Sequence, residues 1–114
     1  MHELSICQSL LMQVEQLAQQ HHAQTVVSIT VKIGPLSGVE ADLLDHAFTI
    51  AREGSIAKEA ELILDTLPVK IRCKTCQAES EVPPNQLVCQ ACGDWQTTLI
   101  SGDELLLASV EFLQ

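Results

Sequence analysis

Apolar residues near the start of the chain recur every three or four positions, at Leu4, Cys7, Leu11, Val14 and Ala18, with Leu10 and Leu17 widening the stripe. That period predicts an amphipathic helix running to about Gln20. Ser5 followed by Gln8 fits a capping box, which places the helix start just after Met1-His2-Glu3 and leaves those residues exposed. From Thr25 the period switches to two. Val27, Ile29, Val31 and Ile33 alternate with Ser28, Thr30 and Lys32, the pattern of a half-buried strand that Gly34-Pro35 ends. Ser37 and Glu40 make a second capping-box signature. Leu43, Leu44, Ala47, Phe48, Ile50 and Ala51 then form one broad face ahead of Gly54, so a second helix is expected over 38–53.

A further strand opens near Ala60 with Leu62 and Leu64 in phase, but the apolar phase shifts to Leu67, Val69 and Ile71 around Pro68, which predicts a bulge or a break. Its second half leads into Cys73. A last strand is expected through Leu106, Ala108, Val110 and Phe112. The pattern predicts an α+β fold of two helices and a small, roughly three-stranded sheet, with a cysteine-bearing module inserted between two strands. The expected division is residues 1–72 with 101–114 as the larger part and 73–100 as the module.

Composition narrows the function. A chain of 114 residues holds about one domain with a satellite module, which leaves little room for a large active-site fold. No uncharged apolar run approaches the ~20 residues of a membrane span, and no basic region followed by an apolar block opens the chain, so a cytoplasmic location is expected. Fifteen Asp and Glu against six Lys and Arg repel phosphate backbones and attract cations or basic partners, which argues against nucleic acid and membrane surfaces as ligands. Three of the six cations, Lys70, Arg72 and Lys74, crowd the first cysteine pair.

Cys73-Lys-Thr-Cys76 and Cys89-Gln-Ala-Cys92 are two CxxC pairs separated by twelve residues, enough chain to bring four thiolates into a tetrahedron. A structural, zinc-ribbon-like Zn(II) site follows, with Lys70, Arg72 and Lys74 offsetting its negative charge and Gly93 permitting a tight turn whose N–H groups face a sulfur. A fully ligated site has no open position for substrate. Apolar residues in the module are few, chiefly Val82, Leu87, Val88 and Trp95, so metal must supply much of its folding free energy. Two disulfides, a redox pair or rubredoxin-like iron are the alternatives; disulfides suit a cytoplasmic chain poorly, one redox pair leaves the other unexplained, and spacing alone leaves iron open.

At the other end, a residue as large as His2 is expected to block removal of Met1. The Met1 amine, the deprotonated His2 amide and the His2 imidazole can then close adjacent chelate rings around one metal, with an amide nitrogen or the carboxylate of Glu3 in reach. Such a set suits square-planar Ni(II) or Cu(II). On spacing alone a terminal histidine is ordinarily a solvated tail residue, and the positive end of the first helix opposes a cation there unless amide deprotonation adds negative charge. His21 and His22 read as capping residues at the end of the first helix. His46 with Asp42 and Asp45 reads as a solvated helix face, and Cys7 as a small core residue. No nucleophile–base pattern or phosphate loop is present, so the chain reads as non-enzymatic.

Met-His-Glu-Leu-Ser at the start, Lys32-Ile33-Gly34 followed by Ser37-Gly38-Val39-Glu40, and the two CxxC pairs together resemble the HypA/HybF family of hydrogenase maturation nickel metallochaperones over essentially the whole chain. The resemblance implies that Met1, His2 and Glu3 hold Ni(II) as cargo while Cys73, Cys76, Cys89 and Cys92 hold structural Zn(II). It implies delivery of nickel to a [NiFe]-hydrogenase large subunit precursor with a HypB-like GTPase. Urease maturation proteins and a homodimer stand as further candidate partners. A zinc-ribbon adaptor that transfers no nickel is the competing reading, and it leaves the terminal motif unexplained.

Overall fold

The structure, a computed structural model, describes residues 2–113. Helix α1 spans Glu3–Gln20. It starts earlier than the capping box predicts: His2 is the N-cap without a side-chain bond, Ser5 lies inside the first turn, and the first helical bond runs from Ile6 N–H to His2 O at 2.9 Å. Glu3, expected to be exposed, is buried at 8% exposure on the side of α1 that carries Cys7, Leu10, Leu11, Val14 and Ala18. A carboxylate in the first turn is favoured by the positive end of the helix dipole.

The far end of α1 closes through the backbone rather than through imidazole side chains. Ala23 N–H reaches Ala18 O at 2.8 Å and His22 N–H reaches Gln19 O at 3.2 Å, with His22 left-handed at φ 53°. This is a Schellman motif with histidine where glycine is usual. The His21 ring packs instead on Phe112, centroid to centroid 5.7 Å.

Helix α2 spans Ala41–Ala51, shorter than expected at both ends. Glu40 is its N-cap in extended conformation, and the Ser37 hydroxyl accepts from Val39 N–H at 3.2 Å around Gly38 at φ +82°, so Ser37 builds the preceding turn instead of a capping box. Beyond the helix, Arg52 Nη1 donates to Ala60 O at 2.8 Å and its guanidinium lies 5.5 Å from the centre of the Phe48 ring, which pins the following loop.

Strands β1 (Val26–Ile33), β2 (Glu61–Thr66) and β6 (Leu105–Phe112) form the first sheet in the order β2-β1-β6, with β2 parallel and β6 antiparallel to β1. Both helices pack on this sheet, and its core gathers Cys7, Val14, Ile29, Val31, Leu44 and Phe48. Two irregularities in the β1–β6 register alter the expected alternation. The first buries Val26 and exposes Val27; the second turns Leu107 toward the core and leaves Leu106 and Ala108 exposed.

The phase shift at Pro68 is a break between two sheets. Leu67 N–H makes a last bond to Ile33 O at 3.0 Å, and the chain then enters β3 (Lys70–Cys73), the centre of a second sheet with β4 (Glu79–Glu81) and β5 (Thr97–Ser101) in the order β4-β3-β5. Lys70, Ile71 and Arg72, which the sequence reading assigns to the larger part, therefore pair within the second sheet. Its small core is Val69, Ile71 and Val82, with Leu36, Leu87 and Leu99 packed against it. Leu36 comes from the β1–α2 loop.

The two sheets meet at a hydrogen-bonded joint. Gly34 N–H donates to Glu104 O at 2.8 Å, Leu36 N–H to Gly102 O at 2.7 Å, and Ser101 Oγ to Pro68 O at 3.1 Å. The described chain is elongated, 53 × 27 × 16 Å, with a radius of gyration of 17.4 Å. A compact domain of this length would have about 13 Å. The second sheet projects from the first.

Candidate metal centres

Cys73 ends β3, and Cys76 lies in the turn that follows. Cys73 N–H donates to Ala78 O at 2.9 Å and Gln77 N–H to Cys73 O at 3.0 Å, which folds the loop back so that the N–H groups of Thr75 and Cys76 each reach Cys73 Sγ at 3.4 Å. The second pair repeats this geometry sixteen residues later. Cys89 N–H donates to Asp94 O and Gly93 N–H to Cys89 O, both at 2.9 Å, and the N–H groups of Ala91 and Cys92 reach Cys89 Sγ at 3.3 and 3.4 Å. The position after each pair needs positive φ: Gly93 at 77° meets this without strain, while Gln77 meets it at 67° with a side chain that donates to Lys74 O.

The two knuckles face each other and bring all four sulfurs within 4.8 Å of one another, with Cys73 Sγ to Cys92 Sγ and Cys76 Sγ to Cys89 Sγ both 3.6 Å. A tetrahedron with Zn–S bonds of ~2.3 Å has edges of ~3.8 Å, so the donor set fits a tetrahedral thiophilic metal. Cys73 and Cys89 are buried, and Cys76 and Cys92 are exposed.

Electrostatics divide the four thiols in the same way. The N–H of Cys92, aided by that of Ala91 and opposed by burial, brings the Cys89 thiol down to about 6. The N–H groups of Cys76 and Thr75 likewise hold Cys73 below its ordinary value. Cys92 receives the N–H of Asp94, yet the neighbouring sulfurs and burial outweigh it and push the thiol up to about 12. A divalent cation reverses this mutual opposition, because thiolates that repel one another all gain by facing it. Of the cations expected to balance the cluster, Arg72 is engaged by Glu79 at 2.5 Å, and that guanidinium holds the Glu79 carboxyl below its usual range.

Thr75 and Asp94 were not singled out by sequence reasoning. The Thr75 hydroxyl donates to Asp94 Oδ2 across the two knuckles, while Asp94 Oδ1 accepts from Gln96 N–H at 3.1 Å. The only local signal is an aspartate two residues ahead of an amide that it can cap. Trp95, read as one of the module's few apolar residues, is 73% exposed, whereas Val82 is buried.

At the start of the chain, His2 is exposed and stands ahead of the helical hydrogen-bond ladder of α1, next to buried Glu3. Met1, the third residue of the expected nickel set, lies outside the described residues. Among the described residues the four cysteines are the one group of three or more side chains placed to share a metal; Asp42, Asp45 and His46 do not converge with a further ligand. Cys7 is a core residue, 1% exposed, with its thiol directed at Leu44 O at 3.5 Å. Among the described residues no helix is long and apolar enough to cross a membrane.

Comparison with known proteins places this arrangement. Residues 1–112 match the family model described as "Hydrogenase/urease nickel incorporation, metallochaperone, hypA". The chain is 46% identical over 113 residues to the hydrogenase maturation factor HypA of Nitrosospira multiformis, covering 99% of this chain and 98% of that one. It is 44% identical over 111 residues to HypA of Aquifex aeolicus, covering 97% and 96%. The solution structure of the Ni metallochaperone HypA from Helicobacter pylori superposes with a TM-score of 0.70 at 30% identity, covering 99% of this chain and 98% of that one. A second solution structure of a HypA protein gives a TM-score of 0.69 at 31% identity. With a match that runs from the terminal motif through both cysteine pairs, this chain belongs to the HypA family of hydrogenase maturation factors.

Proposed function

We propose that this chain is a nickel metallochaperone, a carrier rather than a catalyst, that binds Ni(II) through Met1, His2 and Glu3 and delivers it to a [NiFe]-hydrogenase large subunit precursor in the cytoplasm. The observation that carries this reading is the placement of His2: an exposed imidazole ahead of the first helical hydrogen bond, in a chain matched from its first residue by a nickel-incorporation family. The backbone nitrogens ahead of Ile6 stand outside the helical ladder, so an amide can be deprotonated toward nickel without unravelling α1. The charge of that amide offsets the unfavourable end of the helix dipole. Nitrogen donors in one plane suit low-spin Ni(II), and precursor thiolates, softer and more anionic, draw the ion away by ligand exchange.

Cys73, Cys76, Cys89 and Cys92 hold zinc in this reading, a closed site that supplies folding free energy to the module. The part built on the first sheet and the module built on the second then present separate surfaces, one to a HypB-like GTPase and one to the precursor. Urease maturation proteins are a second destination under the same chemistry. Transfer is the test. Nickel-loaded chain mixed with metal-free hydrogenase precursor should lose its nickel to the precursor, as read by metal analysis of the separated proteins. Retention of nickel on the chain under these conditions would contradict delivery.

A further inference from the structure

A protein that carries nickel and also keeps four thiolates faces a selectivity problem, because Ni(II) binds thiolate well and adopts a square plane readily. Resting on the nickel-carrier reading, we propose that Thr75 and Asp94 form a clasp that holds the two cysteine knuckles at a tetrahedral angle and so keeps nickel out of the four-cysteine site.

The two knuckles are built alike: in each, two backbone N–H groups hold the first sulfur, Cys73 or Cys89, and the backbone N–H of Ala78 or Asp94 reaches the second, Cys76 or Cys92. Passing from a tetrahedron to a square plane leaves each knuckle intact and rotates one against the other until four sulfurs share a plane. Selectivity therefore resides in what resists that rotation. On the β-sheet side, Lys74 N–H donates to Gln96 O at 2.9 Å and Cys73 pairs with Thr97. Across the cluster, the Thr75 hydroxyl of the first knuckle donates to Asp94 Oδ2, directly after the second. Asp94 is itself fixed twice: its Oδ1 accepts from Gln96 N–H, and its carbonyl accepts from Cys89 N–H. A side chain held at both ends of its own loop cannot swing with the opposite knuckle, so the clasp transmits rigidity from one CxxC pair to the other. It also lies beside the exposed sulfurs, Cys76 and Cys92, where an incoming ion arrives first.

Thr75→Val removes the donated proton while keeping the shape of the side chain and the Asp94–Gln96 bond; Thr75→Ser restores the hydroxyl. Both are made in the full-length His2→Ala chain, so that nickel signals come from the cysteines whether or not the terminus binds nickel. Each zinc-loaded protein is equilibrated with excess Ni(II) and then read by metal analysis and by the sulfur-to-nickel absorption bands. Thr75→Val should take up about tenfold more nickel relative to zinc than the parent, the size of effect that residues behind a metal ligand typically exert. Its nickel should be square-planar and diamagnetic, with Thr75→Ser close to the parent. A nickel-to-zinc ratio in Thr75→Val equal to that of the parent overturns the proposal, even if zinc leaves faster. If Thr75→Val does not fold, Asp94→Asn, which loses the charge of the clasp, is read by the same ratio and the same criterion.

Discussion

A Cβ on Gly34 would stand 2.1 Å from the carbonyl oxygen of Gly102, closer than any side chain can sit. The contact lies at the joint where the chain returns from the second sheet to the first, with Gly34 N–H bonded to Glu104 O and Leu36 N–H bonded to Gly102 O. Gly34 is required there for space.

Gly34→Ala must push the two segments of the joint apart. A loss of at least ~3 kcal/mol is expected, since the obstructing atoms are backbone and cannot rotate away. Gly38→Ala is the comparison: φ is +82° but nothing lies within 4 Å of its Cβ. Only left-handed strain of about 1 kcal/mol applies at that position. Urea denaturation of the zinc-loaded proteins ranks the two.

Removal of metal should melt one part of the molecule and spare the other. Apart from the cysteines, the buried core of the second sheet is Val69, Ile71 and Val82, whereas both helices pack over the larger core of the first. Structural zinc supplies ~10–16 kcal/mol, far more than three side chains can replace. After chelation, amide signals over 70–101 should collapse to unfolded positions while those of α1 and α2 persist. Retained dispersion over 70–101 would show that the module folds on its own packing.

How much of this was legible in the sequence depends on whether a feature is local. The cysteine tetrahedron was, because CxxC spacing and Gly93 describe knuckles that close on themselves. The break at Pro68 was legible only as a choice between bulge and break, since the second sheet exists through partners distant in the chain. Val27 and Leu106 lie out of the expected phase for one reason: bulges in the β1–β6 register shift strands whose own alternation gives no sign of it. Ser5 and Ser37 looked like caps, but burial of Glu3 extends α1 past the first and the Gly38 turn employs the second. The Thr75–Asp94 clasp spans two knuckles and could not be read from either alone.

Cys7 predicts a pH dependence. Burial, with smaller contributions from the charges of Glu3 and Asp45, pushes its thiol up from 9.0 to about 11. A folded value above the unfolded one means that this contribution to stability is fully present below pH 9 and is lost as pH rises through 11. The urea midpoint of the zinc-loaded chain should therefore fall across that window, and fall less in Cys7→Ala, in which no thiol remains to ionise. Equal slopes in both proteins would assign the alkaline loss to other groups.

The central claim concerns His2 and is tested most directly by titrating Ni(II) into untagged, zinc-loaded protein with a native Met1 terminus, beside His2→Ala. The readouts are visible absorption of square-planar nickel and bound zinc. The native chain should take up one low-spin nickel per chain with zinc retained, and His2→Ala should lose that band while keeping its zinc and its fold. Identical titrations of the two proteins, or no nickel band in either, would contradict the account.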